Sequence, residues 1–143
     1  MKFISVNKLS DFEFHDTELN FNKFSNNSLQ LKARHLNIRQ NAEQNPHETD
    51  MEIATAIITF EDFSLSSYEI SKGENSKTVL TDFPAFSLFK EQLKSGITVF
   101  DFGIYEGNTY FIDATEFFTV FFTFKNLKIE WDEYKGKAWY VSR

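Results

Sequence analysis

The chain has 143 residues, 41% of them hydrophobic and 25% charged, and a formal net charge of -6, which are the proportions of one folded domain, residues 1–143, with a core of its own. With no Cys, disulfide frameworks, thiolate zinc sites and thiol nucleophiles are excluded. Acidity spread along the whole chain also argues against a nucleic-acid surface, which needs clustered Lys and Arg.

The opening "MKFISVNKLSDFEFHD" meets polar and acidic residues by Asn7 and Asp11. It lacks the apolar run of a secretory signal, and no later run reaches the length of a membrane span. A cytoplasmic protein with no membrane association is the expectation, and the "NNS" sequon at Asn26 then carries no glycan. The 18 Phe far exceed ordinary usage and call for an aromatic core.

Most of the chain alternates with period two between closely spaced turn residues, the pattern of antiparallel β structure. In "ELNFNKF" Leu19 and Phe21 point inward, and "SNN" at Ser25–Asn27 forms a polar turn. In "LQLKARHLNI" Leu31 then faces Phe21, Ala33 faces Leu19 and His35 faces Thr17. Past Ala33 the apolar positions move to Leu36 and Ile38, a phase slip that predicts a β-bulge near Arg34 and His35.

"RQNAEQNPHETDM" (39–51) is polar and aperiodic and reads as a mobile loop. "EIATAIITFEDFSLSSYEI" reads as a long or broken strand bent near Glu61 and Asp62, and "SKGENSK" as a turn. "TDFPAFSLFKEQLKSG" carries the one strong helix signature. Thr81 or Asp82 caps it, Pro84 sits in the first turn, Phe86, Phe89 and Leu93 share a face, and Gly96 stops it, which places a helix at about 83–95.

"ITVFDFGIYEGNTYFIDATEF" reads as a hairpin around Gly107-Asn108, pairing Tyr105 with Tyr110, Ile104 with Phe111 and Phe102 with Asp113. In "EFFTVFFTF" Phe118, Val120, Phe122 and Phe124 line one face, and Phe117 and Phe121 the other. Such a strand is expected inside a sheet and covered on both sides, with the helix over one of them. "NLKIEWDEYKGKAWYV" reads as a closing hairpin around Lys135 and Gly136, with Trp131 and Tyr140 as cross-strand neighbours. The expected fold is therefore mostly β (α+β): an antiparallel curved sheet, sandwich or half-barrel with one helix.

Motifs for nucleophilic catalysis or phosphate cradling are absent: no GxSxG, HExxH, GxxxxGK[ST] or GxGxxG occurs. In the register above His15 lies diagonally across from His35, a pair that invites a metal, though the spacing matches no standard ligand pattern and backbone hydrogen bonding of His15 and Asp16 is the ordinary alternative. Carboxylates adjoin at Glu61 and Asp62, at Asp101 and Asp113, and at Asp132 and Glu133; nothing in the spacing sets a pair across a sugar cleft. The long loop and the aromatic residues of the last hairpin are the candidates for a protein interface: His47, Glu48, Asp50, Trp131, Tyr134 and Trp139.

"FHDTEL" followed by "LQLKARHLNI" and "AIITFEDFSL" resembles small bacterial proteins that open with an aromatic-His-Asp-small-x-aliphatic strand. These continue through a strand of alternating Leu to one ending in Phe-x-Asp/Asn-aliphatic. The resemblance covers about residues 12–65 and rests on Phe14, His15, Asp16, Leu19, Phe60 and Asp62, with Phe63 where an aliphatic residue is usual. Several members are described as immunity proteins of polymorphic-toxin systems. The resemblance implies a cytoplasmic, non-enzymatic protein that binds a protein partner without a cofactor. Two further readings stand beside it: a small-molecule or lipid-binding half-barrel lined by Phe, and a metal-dependent enzyme using His15 and His35.

Overall fold

A computed structural model describes residues 2–71 and 77–141. In chain order the strands are β1 (Phe3–Val6), β2 (Phe12–Glu13), β3 (Glu18–Ser25), β4 (Ser28–Arg34), β5 (Asn37–Ile38), β6 (Met51–Ile53), β7 (Ala56–Glu61), β8 (Ser64–Ser71) and β9 (Lys77–Leu80). After helix α1 (Asp82–Ser95) come β10 (Ile97–Glu106), β11 (Thr109–Ala114), β12 (Phe118–Thr123), β13 (Asn126–Trp131) and β14 (Tyr134–Lys137). They form a ten-stranded antiparallel sheet in the order β1-β13-β7-β4-β3-β10-β11-β12-β8-β9 and a four-stranded sheet in the order β14-β6-β5-β2. The large sheet is not closed into a barrel. No helix among the described residues is long and apolar enough to cross a membrane.

Strand β10 is the fold line of the large sheet. Its first two residues pair with β3, and from Val99 onward it pairs with β11. The halves on either side turn their apolar faces toward each other, so that Phe60 on β7 meets Phe122 on β12 edge to face at 5.4 Å. Phe63, Phe102 and Phe124 pack around the same two rings with centroids 5.2 to 6.1 Å apart. Burying each such ring contributes roughly 1.5–3 kcal/mol, and rings interlocked edge to face leave the space beneath β12 filled.

The helix forms where expected. Thr81 occupies the N-cap with extended backbone, and Gly96 at φ 91° ends the helix by donating its N–H to the Leu93 carbonyl. Ala85, Phe89 and Leu93 are buried. Phe89 reaches Phe118 at 6.3 Å, while Phe86 lies between Phe24 and Phe63. The helix thus bridges β3 and β8 across the open side of the folded sheet.

The first hairpin has the expected pairs, Phe21 with Leu31 and Leu19 with Ala33. The turn is shorter than the sequence suggests: Asn26 and Asn27, both left-handed, close it between Ser25 and Ser28, and an extra residue between Phe21 and Lys23 restores the register. The phase slip at His35 is larger than a bulge. His35 (φ 65°) and Asp16 (φ 68°) break both strands at the same level. Beyond the break β4 continues as β5 and β2 leads into β3, so the neighbours β7-β4-β3 of the large sheet become β6-β5-β2 of the small one.

Four expectations are corrected. Around Gly107-Asn108, Glu106 pairs with Thr109, and because Tyr105 is an extra residue on β10, Ile104 then pairs with Tyr110, Phe102 with Ile112 and Asp101 with Asp113; a second extra residue, Phe100, sets Val99 opposite Ala114. The last segment is not a hairpin. Strand β13 lies between β1 and β7 while β14 joins β6 in the small sheet, because Trp131, fully buried, stacks on Phe3 at 5.5 Å and turns the chain away from its own return.

The outer face of β12 is not covered. Phe117 precedes the strand in a left-handed conformation (φ 69°) with 74% of its surface exposed, and Phe121 is half-buried against Tyr105 at 4.8 Å. One covered face suffices here because the interior row alone packs against both the opposite half-sheet and α1. The loop at 39–51 is tied down from within: buried Asn45 donates Nδ2 to the carbonyls of Arg39 and Thr49 (3.1 Å each), and its Oδ1 accepts the His47 N–H at 2.9 Å. The turn expected at Ser71–Lys77 lies mostly outside the described residues.

Two substitutions separate the faces of β12. Phe122→Ala should lower unfolding stability by about 3–5 kcal/mol, whereas Phe117→Gly should raise it by roughly 0.5–1 kcal/mol by relieving a bulky residue at positive φ. Urea unfolding of both variants checks this. Asn45→Ala should cost about 1–3 kcal/mol through the carbonyls it leaves unpaired.

Candidate functional site

Where the small sheet meets the fold line, the break at His15-Asp16 places a polar ring next to exposed aromatic residues. A groove of about 470 Å³ is lined by Glu13, His15, Arg39, Phe100, Asp101, Trp139 and Tyr140. Phe100 stands outward because the irregularity in β10 adds it between Val99 and Asp101; it is 56% exposed and Trp139 55%. Trp139 packs edge to face on Tyr140 at 5.5 Å and lies 6.4 Å from the His15 ring, which meets Phe100 at 5.5 Å.

The polar groups are held in place. His15 Nδ1 donates to the Phe100 carbonyl at 2.9 Å, so Nε2 faces Asp16 Oδ2 at 3.7 Å. Glu13 accepts the His15 backbone N–H at 3.0 Å through Oε1, and Arg39 Nη2 at 3.1 Å through Oε2. Arg39 also donates Nε to the Ser10 carbonyl at 3.2 Å. Asp50 laces the C-terminal segment to the long loop: its Oδ2 accepts the Tyr140 hydroxyl at 2.6 Å, its Oδ1 the Gln40 N–H at 2.7 Å, and its carbonyl the Ala138 N–H at 3.0 Å.

Two groups titrate away from their ordinary ranges. The His15 pKa is raised above 6.5, chiefly by its hydrogen bond to the Phe100 carbonyl, against a lowering effect of burial and with help from Asp16, Glu13 and Asp101. The Tyr140 hydroxyl is pushed well above its usual range, first by burial and then by its bond to the Asp50 carboxylate. These shifts follow from anchoring contacts. They leave the aromatic faces of Phe100 and Trp139 as the free surface of the groove.

The residues singled out in the sequence separate into three places. Trp139 belongs to this groove and Asp50 anchors it. His47 and Glu48 line a second groove of about 590 Å³ with Pro46 and Gly136; Tyr134 borders an adjoining one, donating its hydroxyl to the Gln44 carbonyl at 2.5 Å and packing on His47 at 5.1 Å. Trp131 is a correction: fully buried among Phe3, Phe12 and Tyr134, it offers nothing to a partner.

His15 and His35 are not brought onto a common centre. His35 Nδ1 lies 3.1 Å from Glu52 Oε2, away from the His15 contacts, and among the described residues no group of three or more His, Asp or Glu is arranged to hold a metal ion. Asp113, expected opposite Phe102, instead faces Asp101 directly across the ladder and accepts the Thr119 hydroxyl at 3.0 Å. Sequence reasoning missed Phe100 and Arg39, and set Tyr140 across from Trp131 rather than beside Asp50. Phe100 sits in an alternating run that marks it as core, and only the irregularity in β10 turns it out; no signal in the chain points to Arg39.

Comparison with protein-family models, with curated proteins and with solved structures finds no match.

Because the folded pKa of His15 lies above the unfolded value, protonation stabilises the native state. That contribution is complete below about pH 6.5 and is lost as pH rises through the folded midpoint. With 41% of the side chain exposed the effect should be small. NMR titration of the His15 ring should give a midpoint above 6.5, and His15→Gln should flatten the decline of stability with pH across that window.

Proposed function

We propose that this chain is a non-enzymatic protein-binding protein whose partner seats on the groove of Phe100, Trp139 and Tyr140. The observation that carries the reading is a cluster of solvent-facing aromatic rings fixed by buried or charged anchors and rimmed by Glu13, Arg39 and Asp101. Trp, Tyr and Arg are the residues that dominate binding energy at protein interfaces, and rings held before binding lose little entropy on association.

The ring-filled space beneath β12 favours a protein partner over an apolar small molecule, which needs an enclosed cavity. The resemblance at "FHDTEL" suggests the class of partner, a toxin of a polymorphic-toxin system that is inhibited by occlusion. His15 of that stretch lines the groove, and Asp16 lies beside its ring.

The test is capture from an extract of the source cells, followed by affinity measurement on the captured protein. Replacing both Phe100 and Trp139 with Ala should leave the melting temperature near that of the parent, since both rings are exposed, and weaken the partner by at least about tenfold. Phe117→Ala removes a still more exposed ring elsewhere and should change affinity less than about twofold. Undiminished binding in the double variant, or equal loss in both, would sink the reading.

A further inference from the structure

We infer that the groove is one end of a longer docking strip running along β10, and that the strip receives a cationic, arginine- or lysine-bearing segment of the partner. The inference rests on the partner-binding reading and adds the chemistry of what is bound. At the far end of β10, Tyr105 and Glu106 open onto a separate groove of about 500 Å³, which they line with Phe121, Glu69, Ser67 and Thr109. Asp101 and Glu106 are five positions apart on an extended strand, roughly 15 Å, so one short extended segment can touch both grooves.

Carboxylates outnumber cations along this strip. Glu13, Asp101, Glu106 and Glu69 line the two grooves, and Asp113 stands directly opposite Asp101 on β11. The cations beside them are already committed: Arg39 to Glu13 and the Ser10 carbonyl, and Lys77 to Glu69 at 3.1 Å. Among the described residues the Asp101 and Glu106 carboxylates have no hydrogen-bond or ion-pair partner.

Like charges directly opposed across a ladder repel, and a guanidinium or ammonium between Asp101 and Asp113 relieves that repulsion. The exposed rings of Phe100, Trp139 and Tyr105 supply faces on which such a cation stacks. Complementary charge of this kind selects the partner and speeds its encounter more than it adds raw affinity.

Calorimetry with a synthetic Arg-Gly repeat of about ten residues, long enough to span the strip, tests the proposal. Measurement at about pH 8.5 holds the His15 imidazole toward its neutral form. The parent protein should bind the peptide. Asp101→Asn with Glu106→Gln should weaken binding about five- to tenfold, as should Tyr105→Ala with Trp139→Ala. Glu48→Gln with Glu91→Gln removes the same charge elsewhere and should change binding less than about twofold.

Equal loss in the two charge-removing variants would mean diffuse attraction to an acidic protein and would overturn the strip, as would a parent that does not bind the peptide. If the captured partner still depends on Phe100 and Trp139 while the peptide fails, the partner-binding reading stands and the cationic segment falls. If both dependences are missing, both fall.

Discussion

The packing of Phe60 against Phe122 is the contact on which the rest of the molecule depends. These rings belong to opposite halves of one sheet and are brought together because β10 changes partner from β3 to β11 after two residues. A ten-stranded sheet left open would expose an aromatic face to water, and burial of that face is worth more than any other term available to a chain of this size. Folding the sheet on itself buries the interior row and leaves the outer row wet. That asymmetry explains how a strand as apolar as β12 tolerates a half-exposed Phe121 and an exposed Phe117.

The same fold line creates the candidate site. Each irregularity in β10 adds a residue that the ladder cannot pair, and the additions turn Phe100 and Tyr105 outward at the two ends of the strand. Left-handed Asp16 and His35 send neighbouring strands into the small sheet, so the start of the first hairpin crosses beside Phe100. Asp50 then draws the C-terminal segment against the loop and sets Tyr140 and Trp139 along the opposite wall. Three distant segments thus make one surface on which Glu13, His15, Arg39 and Asp50 are held by hydrogen bonds while the Asp101 carboxylate and the rings stay open.

Electrostatics and packing assign different roles to the two aromatic populations. Inside, Phe60 and Phe102 each meet Phe122 edge to face, and Tyr68, stacked on Phe118 at 4.7 Å, has its hydroxyl pushed up to about 12 by burial. Outside, the rings lie among carboxylates, which suits association with a cation better than self-association. Asp101 and Glu106 of β10, with Asp113 opposite, set part of the diffuse acidity of the sequence beside those rings.

Features that depend on neighbours along the chain are legible in the sequence by itself: the antiparallel alternation, the helix with Pro84 near its start and Gly96 at its end, the Phe21–Leu31 and Leu19–Ala33 pairs, and the bend at Asp62. Each follows from a period, a cap or a turn that a few consecutive residues specify. The register of β10 against β11, the separation of β13 from β14, the burial of Trp131 and the exposure of Phe100 are decided only by the tertiary structure. They arise from irregularities and pairings between segments as far apart as Asp50 and Tyr140, where alternation reads the same for a residue facing the core and for one turned to water, and only packing of the folded sheet distinguishes the two.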